Sequence, residues 1–162
     1  MEAGGPAEVV LSFLVRDLAR LLRRRFEQGA AGEALGLTRN QSFVLVYIAE
    51  QQGLSQARLA ELLQIEPMAL VHLVDRLEAL GLMERRVDPR DRRIWRLYLT
   101  PAAAPALERI GRINRAVGAD ALADLPADER ALLIAVLRQL KSSLAGAARL
   151  NGAGVSEPPS AA

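Results

Sequence analysis

The chain has 162 residues, of which 51% are apolar and only 4% aromatic. A chain of this length forms one domain or a closely associated pair, and a core built from Leu, Ala, Val and Ile favours helices. The sequence contains no cysteine and a single histidine, His72. This composition excludes disulfides and thiol chemistry, argues against the usual zinc sites, and leaves little from which to assemble an enzyme active site. We therefore expect neither a cofactor nor an enzyme.

The net charge of +2 is too small to indicate a nucleic-acid partner by itself, but the arginines are unevenly distributed. Residues 84–96 contain six arginines against three acidic residues, and a second cluster lies at positions 20 and 23–25. No segment approaches the roughly 20 apolar residues of a membrane span, and the N-terminus lacks the pattern of a signal peptide. We therefore expect a cytoplasmic protein without a membrane partner.

The first third of the chain predicts two helices. The first is amphipathic and runs from residue 7 to about residue 28, and its arginines are expected to face solvent. Its apolar stripe includes Leu11, Leu14, Val15, Leu18, Leu22 and Phe26. Residues 29–36 are predicted to form a flexible turn. The β-branched run 43–48 would favour a strand by propensity, but a cap at Thr38 and a glycine at Gly53 frame about four helical turns, so we predict a buried helix.

Two short helices follow, and local signals mark their ends. Ser55 is a predicted N-cap, Pro67 suits the first turn of the second helix, and Gly81 suits the left-handed residue just beyond its end. The inward-facing residues are predicted to be Leu59, Leu62, Leu63, Leu70, Leu73 and Leu77. The opposite face of the second helix presents Met68, Val71, His72, Asp75 and Arg76. A helix face with few charges and adaptable side chains suits contact with another surface, such as a DNA major groove.

An arginine-rich hairpin is predicted next. Its arms are residues 83–87 and residues 94–99, and the connecting loop, residues 88–93, contains a proline and three arginines. Because side chains alternate along a strand, those of Trp95, Leu97 and Leu99 are predicted to lie on the inner face of the second arm. Two helices and a basic ribbon are the outline of a winged helix-turn-helix.

The last third of the chain predicts two long helices. Thr100 and Pro101 mark the start of the first, which runs to about residue 123, and the second follows a break at Leu125 and Pro126. One face of the second helix carries Leu133, Val136, Leu137, Leu140 and Leu144. From residue 151 onward the composition is rich in Gly, Pro, Ser and Ala, which predicts a disordered tail.

Several motifs between Ser55 and Thr100 resemble those of the MarR (multiple antibiotic resistance regulator) family. In order and at the family's spacing, this segment contains Leu-Ala-Glu-Leu-Leu, Asp-Arg-Leu-Glu-Ala-Leu-Gly-Leu, Asp-Pro-Arg-Asp-Arg-Arg and Leu-Thr-Pro. The most specific of them is Asp88-x-Arg90-x-x-Arg93, and the long flanking helices also match in place. The resemblance implies a mainly α fold with a small β-hairpin wing, in which a winged helix-turn-helix lobe is combined with long N- and C-terminal dimerisation helices. The expected division is residues 1–36 for the N-terminal dimerisation helix and turn, 37–100 for the DNA-binding lobe, 101–150 for the C-terminal dimerisation helices and 151–162 for the tail.

The resemblance also implies a function. Such proteins are DNA-binding transcription regulators, and we expect a repressor that acts as a homodimer on a palindromic operator in double-stranded DNA. One helix would enter the major groove, and the arginine wing would contact the minor groove or the backbone. Release by a small phenolic or anionic effector is a further expectation, with a pocket near Phe13, Phe43 and Tyr47. The residues expected to pack between subunits are Leu11, Leu14, Leu18, Leu133, Val136, Leu137, Leu140 and Leu144.

The DNA contacts are expected on both parts of the winged module. The predicted contact residues are Ser55, Gln56, Met68, Val71, His72, Arg76, Arg86, Arg90, Arg92 and Arg93. Arginine suits this role because its flat, weakly hydrated guanidinium keeps its charge and fits phosphates or a narrow minor groove. Asp88 and Asp91 are predicted to hold Arg90 and Arg92 in shape rather than to contact DNA. His72 stands where relatives often carry arginine, which predicts weaker or shape-based recognition of bases.

A different class of function stays open at this stage, namely a winged-helix module that binds another protein without specific DNA binding. Salt dependence separates the two classes, because six phosphate contacts would cost about a thousandfold in DNA affinity between about 50 and 200 mM salt. DNA binding that is absent or insensitive to salt would favour the protein-binding module.

Overall fold

The computed structural model describes the backbone of residues 7–152. Its elements in chain order are α1 (Ala7–Gly32), α2 (Arg39–Glu50), β1 (Leu54–Ser55), α3 (Gln56–Leu63), α4 (Pro67–Ala79), β2 (Met83–Val87), β3 (Trp95–Leu99), a 3₁₀ turn (Pro101–Ala103), α5 (Ala104–Ala121) and α6 (Ala127–Gly152). The predicted fold class, mainly α with a small β-hairpin wing, is confirmed. The chain divides into two compact units with a boundary between Asp120 and Ala121. Within the described range, no helix is long and apolar enough to cross a membrane.

α1 extends to Gly32, so the predicted turn over residues 29–36 is wrong in its first half. Gly29 lies where α1 approaches α5, and a Cβ built on this glycine would be 2.9 Å from Cγ2 of Ile113. Glycine costs a helix interior only about 1 kcal/mol relative to alanine, so the helix continues through it. The close approach of a second helix is a packing reason for glycine at this position. Phe26, which is 4% exposed, belongs to the core on the same part of α1.

α2 forms despite its β-branched sequence, and the predicted buried helix is confirmed. Thr38 and Gln41 make a capping box, in which the Gln41 N–H donates to Thr38 Oγ1 at 3.3 Å and the Thr38 N–H donates to Gln41 Oε1 at 2.9 Å. Val44, Leu45 and Ile48 are fully buried. Burial of an aliphatic side chain contributes about 1.5–3 kcal/mol, which exceeds the few tenths of a kcal/mol that a β-branched residue loses in a helix.

α3 begins, and α4 begins and ends, where the local signals predict. Ser55 Oγ accepts a backbone N–H from the first turn of α3 at 3.2 Å, and Pro67 is the first residue of α4. Beyond α4, Gly81 has a φ of +69°, and the Leu82 N–H donates to the Leu77 carbonyl at 3.0 Å, as in a Schellman motif. The core that these helices share with α2 includes Leu45, Leu59, Leu70, Val74 and Leu77.

Three strands form an antiparallel sheet in the order β1-β3-β2. The predicted hairpin is confirmed, and its last pair before the loop is Val87 with Trp95. β1, which is only two residues long and pairs Leu54 with Leu97, carries no strand signal in the sequence. Trp95 shares a face of β3 with the buried Leu97, as alternation predicts, but Trp95 itself is 45% exposed. β1 pairs only with Arg96 and Leu97, so Trp95 lies one position beyond the three-stranded part of the sheet.

The two C-terminal helices differ from the prediction at their ends. The Thr100 side chain makes no helix-capping hydrogen bond in the described chain; its hydroxyl donates to the Gly81 carbonyl, and the 3₁₀ turn precedes α5. α6 runs through Gly152, so the predicted start of the tail at residue 151 is too early. The rest of the predicted disordered tail, residues 153–162, lies outside the described residues.

Candidate nucleic-acid interface

The outward face of α4 brings together the residues predicted to read DNA on this helix. Met68 is 66% exposed, His72 and Arg76 are also exposed, and Val71 is partly buried at the edge of the same face. Residues four positions apart form one stripe along a helix, which aligns Met68, His72 and Arg76. Arg76 has no ion-pair partner among the described residues. The face therefore combines one unpaired cation and one imidazole with apolar surface.

The six wing arginines fall into two groups. Three are paired with carboxylates inside the lobe, namely Arg85 with Asp75 and Glu78, Arg86 with Glu84, and Arg96 with Asp88. The other three are exposed and have no ion-pair partner among the side chains that the structure describes, and these are Arg90, Arg92 and Arg93. A guanidinium that is paired with a carboxylate has its charge partly neutralised and fewer free N–H donors, so the unpaired group is the more available to DNA. Arg86, a predicted DNA contact, belongs to the paired group and also lies 4.4 Å from the centroid of the Tyr98 ring.

Asp88 organises the wing loop from a buried position, with 3% of its surface exposed. Its Oδ1 accepts the N–H groups of Arg90 at 2.7 Å and Asp91 at 3.2 Å, and its carboxylate pairs with the Arg96 guanidinium. The hydrogen bond from the Arg90 N–H, followed by that from Arg96, holds the pKa of Asp88 below its usual range. Asp88 therefore acts on the loop through the backbone and Arg96. This differs from the predicted pairing with the guanidinium groups of Arg90 and Arg92.

Two further hydrogen bonds hold the backbone around the loop. Asp91 Oδ1 accepts the Arg93 N–H at 2.9 Å, so this aspartate also contacts backbone rather than a guanidinium. Arg96 Nη1 donates to the Gly53 carbonyl at 2.9 Å, in the turn that precedes β1. The loop backbone is thus bonded at both ends, whereas the guanidinium groups that it carries stay unpaired among the described residues.

Arg85 connects the wing to α4, a contact that the sequence analysis misses. Burial disfavours its charged form, but the hydrogen bonds and charges of Asp75 and Glu78 together outweigh burial and raise the pKa of Arg85. The sequence assigns Asp75 to the outward face of α4 with the DNA-reading residues. In the structure its carboxylate is paired with Arg85 instead. The partners lie on different elements, so helical periodicity carries no signal for this pair.

Ser55 and Gln56, the remaining predicted contacts, lie at the start of α3. With Ala57 they form one wall of a notch of about 320 Å³, which is further lined by Arg93, Ile94 and Trp95. The Ser55 hydroxyl accepts the N–H of Arg58 in the helix cap, and its own O–H stays available as a donor beside the Gln56 side chain. The notch brings the start of α3 next to the wing, and it includes Trp95, which the sequence analysis does not assign to the site.

The residues predicted to pack between subunits are exposed within the single chain. On α1, the exposed fractions of Leu11, Leu14 and Leu18 lie between 45% and 56%. On α6, the exposed fractions lie between 36% and 73% for Leu133, Val136, Leu137, Leu140 and Leu144. Large apolar side chains exposed along one face of a helix mark an interaction face on each of these two helices.

The residues predicted for an effector pocket do not share either of the two described cavities in this region. Phe43 lines a cavity of about 110 Å³ without Phe13 or Tyr47, and the other lining residues are Asn40, Leu63 and Ile65. Phe13 is exposed on α1, where the Arg16 guanidinium lies 4.9 Å from its ring centroid. A larger groove of about 600 Å³ lies between α1 and the start of α2, and its lining includes Arg23, Phe26, Glu27, Arg39 and Leu73.

The amino-acid sequence is similar to those of known transcription regulators. Residues 37–95 match the model of the MarR family. A curated relative from Thauera aromatica, named "Putative transcriptional regulatory protein for hcr operon", is 36% identical over 105 residues. That match covers 65% of this chain and 63% of the relative's own length.

Solved structures are similar over a larger part of the chain. A crystal structure of MarR is 26% identical with a TM-score of 0.75, and the match covers 94% of this chain and 97% of that one. A crystal structure of a mutant MarR from E. coli complexed with operator DNA is 25% identical with a TM-score of 0.71, and the match covers 82% of this chain and 94% of that one. The structural similarity therefore extends well beyond residues 37–95.

Proposed function

Because this chain belongs to the MarR family of DNA-binding transcription regulators, which are not enzymes, we propose that it is a repressor that acts as a homodimer on a palindromic operator. The observation that carries the proposal is the pairing pattern of the wing. Three of its arginines are neutralised by carboxylates of the lobe, whereas the three in the loop are exposed and unpaired among the described residues. Unpaired guanidinium groups beside an outward-facing helix suit the phosphates that flank a major groove.

In this proposal α4 lies in the major groove, and the wing loop lies on the minor groove or the backbone. The contact residues are Ser55, Gln56, Met68, Val71, His72, Arg76, Arg86, Arg90, Arg92 and Arg93. The loop arginines supply most of the affinity, because phosphate contacts dominate binding to DNA. Met68 and Val71 suit the methyl groups of thymine, and His72 and Arg76 suit acceptors on base edges. Asp88 and Asp91 hold the loop in shape through its backbone.

The exposed apolar faces of α1 and α6 support the homodimer. A second copy of the chain carries the same faces, and a two-fold symmetric dimer buries both at once. The helices within residues 1–36 and 101–150 then form the dimerisation region, and residues 37–100 form the DNA-binding lobe. The two lobes would read half-sites one helical turn apart, about 34 to 36 Å.

The groove between α1 and α2 supports release by a small anionic or phenolic effector. Burial, followed by the charge of Arg23, lowers the pKa of Arg39, and Glu27, which is paired with Arg23 at 2.8 Å, offsets only part of this. An anion bound beside Arg39 would stabilise its partly buried charge. Phe26 and Leu73 supply apolar surface for an aromatic ring. Because Leu73 belongs to α4, a ligand in this groove would contact α1 and the DNA-reading helix together.

Selection of bound sequences from random double-stranded DNA by the purified full-length protein tests the proposal. The expected result is an enriched palindrome with half-sites one helical turn apart. Transcription in vitro from a promoter that contains the palindrome should then fall when the protein is added, whereas a rise would identify an activator. If no sequence is enriched, or if DNA binding is insensitive to salt, the protein is instead a winged-helix module for a protein partner.

A further inference from the structure

Trp95 is the only tryptophan of the chain, and it occupies the first position of β3. Its side chain is 45% exposed, as is that of its cross-strand partner Val87. β1 pairs with the next two positions of β3, Arg96 and Leu97, and then gives way to α3 after Ser55. Trp95 therefore lies beyond the part of β3 that pairs with β1.

The exposed indole belongs to a notch between two elements of the DNA-binding lobe. One wall is the start of α3, and the other is formed by Arg93, Ile94 and Trp95, around a volume of about 320 Å³. Indole and isoleucine give this second wall an apolar surface, and Arg93 gives it a positive charge. The Arg93 guanidinium has no ion-pair partner in the part of the chain that the structure describes.

An aromatic ring beside an unpaired cation matches a ligand that combines exposed C–H groups with an anion. The sugar–phosphate backbone of DNA has this composition, because deoxyribose presents C–H groups and the phosphate carries the charge. The position of the notch agrees with this occupant. Its walls carry Ser55 and Gln56 on one side and Arg93 on the other, which are proposed DNA contacts of α3 and of the wing.

We propose that this notch binds one sugar–phosphate unit of the operator, with the Trp95 ring packed on the deoxyribose and the Arg93 guanidinium on the phosphate. The inference rests on the proposed function, because it requires that the lobe bind DNA. It adds a contact residue, Trp95, that bears no charge. The notch would hold the backbone between the groove read by α4 and the groove met by the wing loop.

The fluorescence of the single tryptophan tests the inference in the wild-type protein. A labelled duplex of the selected palindrome reports binding by its anisotropy, and acrylamide, a neutral quencher, reports the accessibility of Trp95 in the same samples. At saturating duplex the quenching constant is expected to fall severalfold. Trp95→Ala should weaken duplex affinity about tenfold at every salt concentration, because an apolar contact is lost without a change of charge. Arg93→Gln should instead reduce the slope of log affinity against log salt by about one.

Val87→Ala is the matched control, because Val87 is equally exposed and lies opposite Trp95 but does not line the notch. Its duplex affinity should stay within about twofold of the wild type. Thermal unfolding of Trp95→Ala, followed by circular dichroism, checks that the variant is folded. The wild-type quenching measurement does not depend on any variant.

Three outcomes would overturn the inference. If the duplex binds and the quencher reaches Trp95 as before, the indole is not on DNA and is free for a protein partner, while the proposed function stands. If Trp95 becomes protected with rising protein concentration in the absence of DNA, the notch is a contact between copies of the chain. If the labelled duplex does not bind at all, the proposed function itself fails and the inference falls with it.

Discussion

Arg85 on β2 binds Glu78 on α4 through two hydrogen bonds, since its backbone N–H donates to Oε1 at 3.1 Å and its Nε donates to Oε2 at 3.0 Å. The same guanidinium pairs with Asp75, one turn earlier on α4. One arginine therefore connects the first strand of the wing to the outward-facing helix at two points. In a regulator that uses both elements, this connection keeps them in one relative position.

Replacing Arg85 by methionine keeps the aliphatic stem and removes the guanidinium. We expect the free energy of unfolding to fall by about 1–3 kcal/mol, because two carboxylates lose a partly buried charged partner. Operator affinity should also fall, although Arg85 itself contacts no DNA in the proposed arrangement. Chemical denaturation at matched protein concentration and duplex titration measure the two effects.

The control for this prediction is Arg58→Met, which removes an exposed pair with Glu61 within α3. Its free energy of unfolding should change by no more than about 0.5 kcal/mol. Equal losses of stability for Arg85→Met and Arg58→Met would contradict a special role for the connection between β2 and α4.

Asp88→Asn should change how stability depends on pH. The hydrogen bond from the Arg90 N–H and the pairing with Arg96 lower the pKa of Asp88 in the folded protein, so ionised Asp88 stabilises the fold above its unfolded pKa of about 3.9. This stabilisation is lost as the pH falls through the folded pKa. Asparagine keeps an oxygen for the backbone N–H groups but removes the charge. The wild type should therefore be more stable than the variant by a constant amount above about pH 5, and the difference should shrink below about pH 4.

Denaturation of both proteins over a series of pH values measures this difference. The pKa of Glu33 is also lowered, by its hydrogen bond from Arg112. Because Glu33 is present in both proteins, its contribution cancels in the difference between their free energies of unfolding. A difference that stays constant down to about pH 2 would mean that the charge of Asp88 does not stabilise the fold.

Unpaired and paired wing arginines should differ in the salt dependence of DNA binding. Arg90→Gln and Arg92→Gln should each reduce the slope of log affinity against log salt by about 0.9, the value for one phosphate contact. Arg86→Gln should reduce it by less, because Glu84 already neutralises this guanidinium. Anisotropy of a labelled duplex between about 50 and 200 mM salt measures all three slopes. Equal reductions for Arg86→Gln and Arg90→Gln would show that ion pairing in the free protein does not determine which arginines contact phosphates.

Leu137→Glu on α6 should disrupt the homodimer, because it introduces a charge into an apolar face that is proposed to be buried between subunits. Light scattering should then give the mass of one chain in place of two, and duplex affinity should fall because one lobe can engage only one half-site. Gln139→Glu, two positions further along the same helix, is the matched control and should leave the dimer intact. A wild-type protein that is already monomeric would contradict the proposed homodimer.

The sequence by itself determined most of the helix ends and the identity of the basic wing. Ser55, Pro67 and Gly81 act on backbone groups within one turn, so their effect does not depend on distant parts of the fold. Helical spacing likewise predicted the outward stripe through Met68 and His72, because a helix fixes which residues share a face. The β-branched α2 was also predictable, since its cap and its length outweighed its strand propensity.

Only the tertiary structure showed the contacts that Arg85 and Arg96 make outside the hairpin. Arg96 reaches the Gly53 carbonyl across 43 residues, and Arg85 reaches Glu78 on another element. Strand alternation places Trp95 on the same face as Leu97, but only the structure shows that Leu97 is buried and Trp95 is 45% exposed. Such relations follow from how separate elements pack, and neither a helical nor a strand period carries information about them. The sequence shows which charged and aromatic side chains are present, whereas packing decides which of them meet each other and which face solvent.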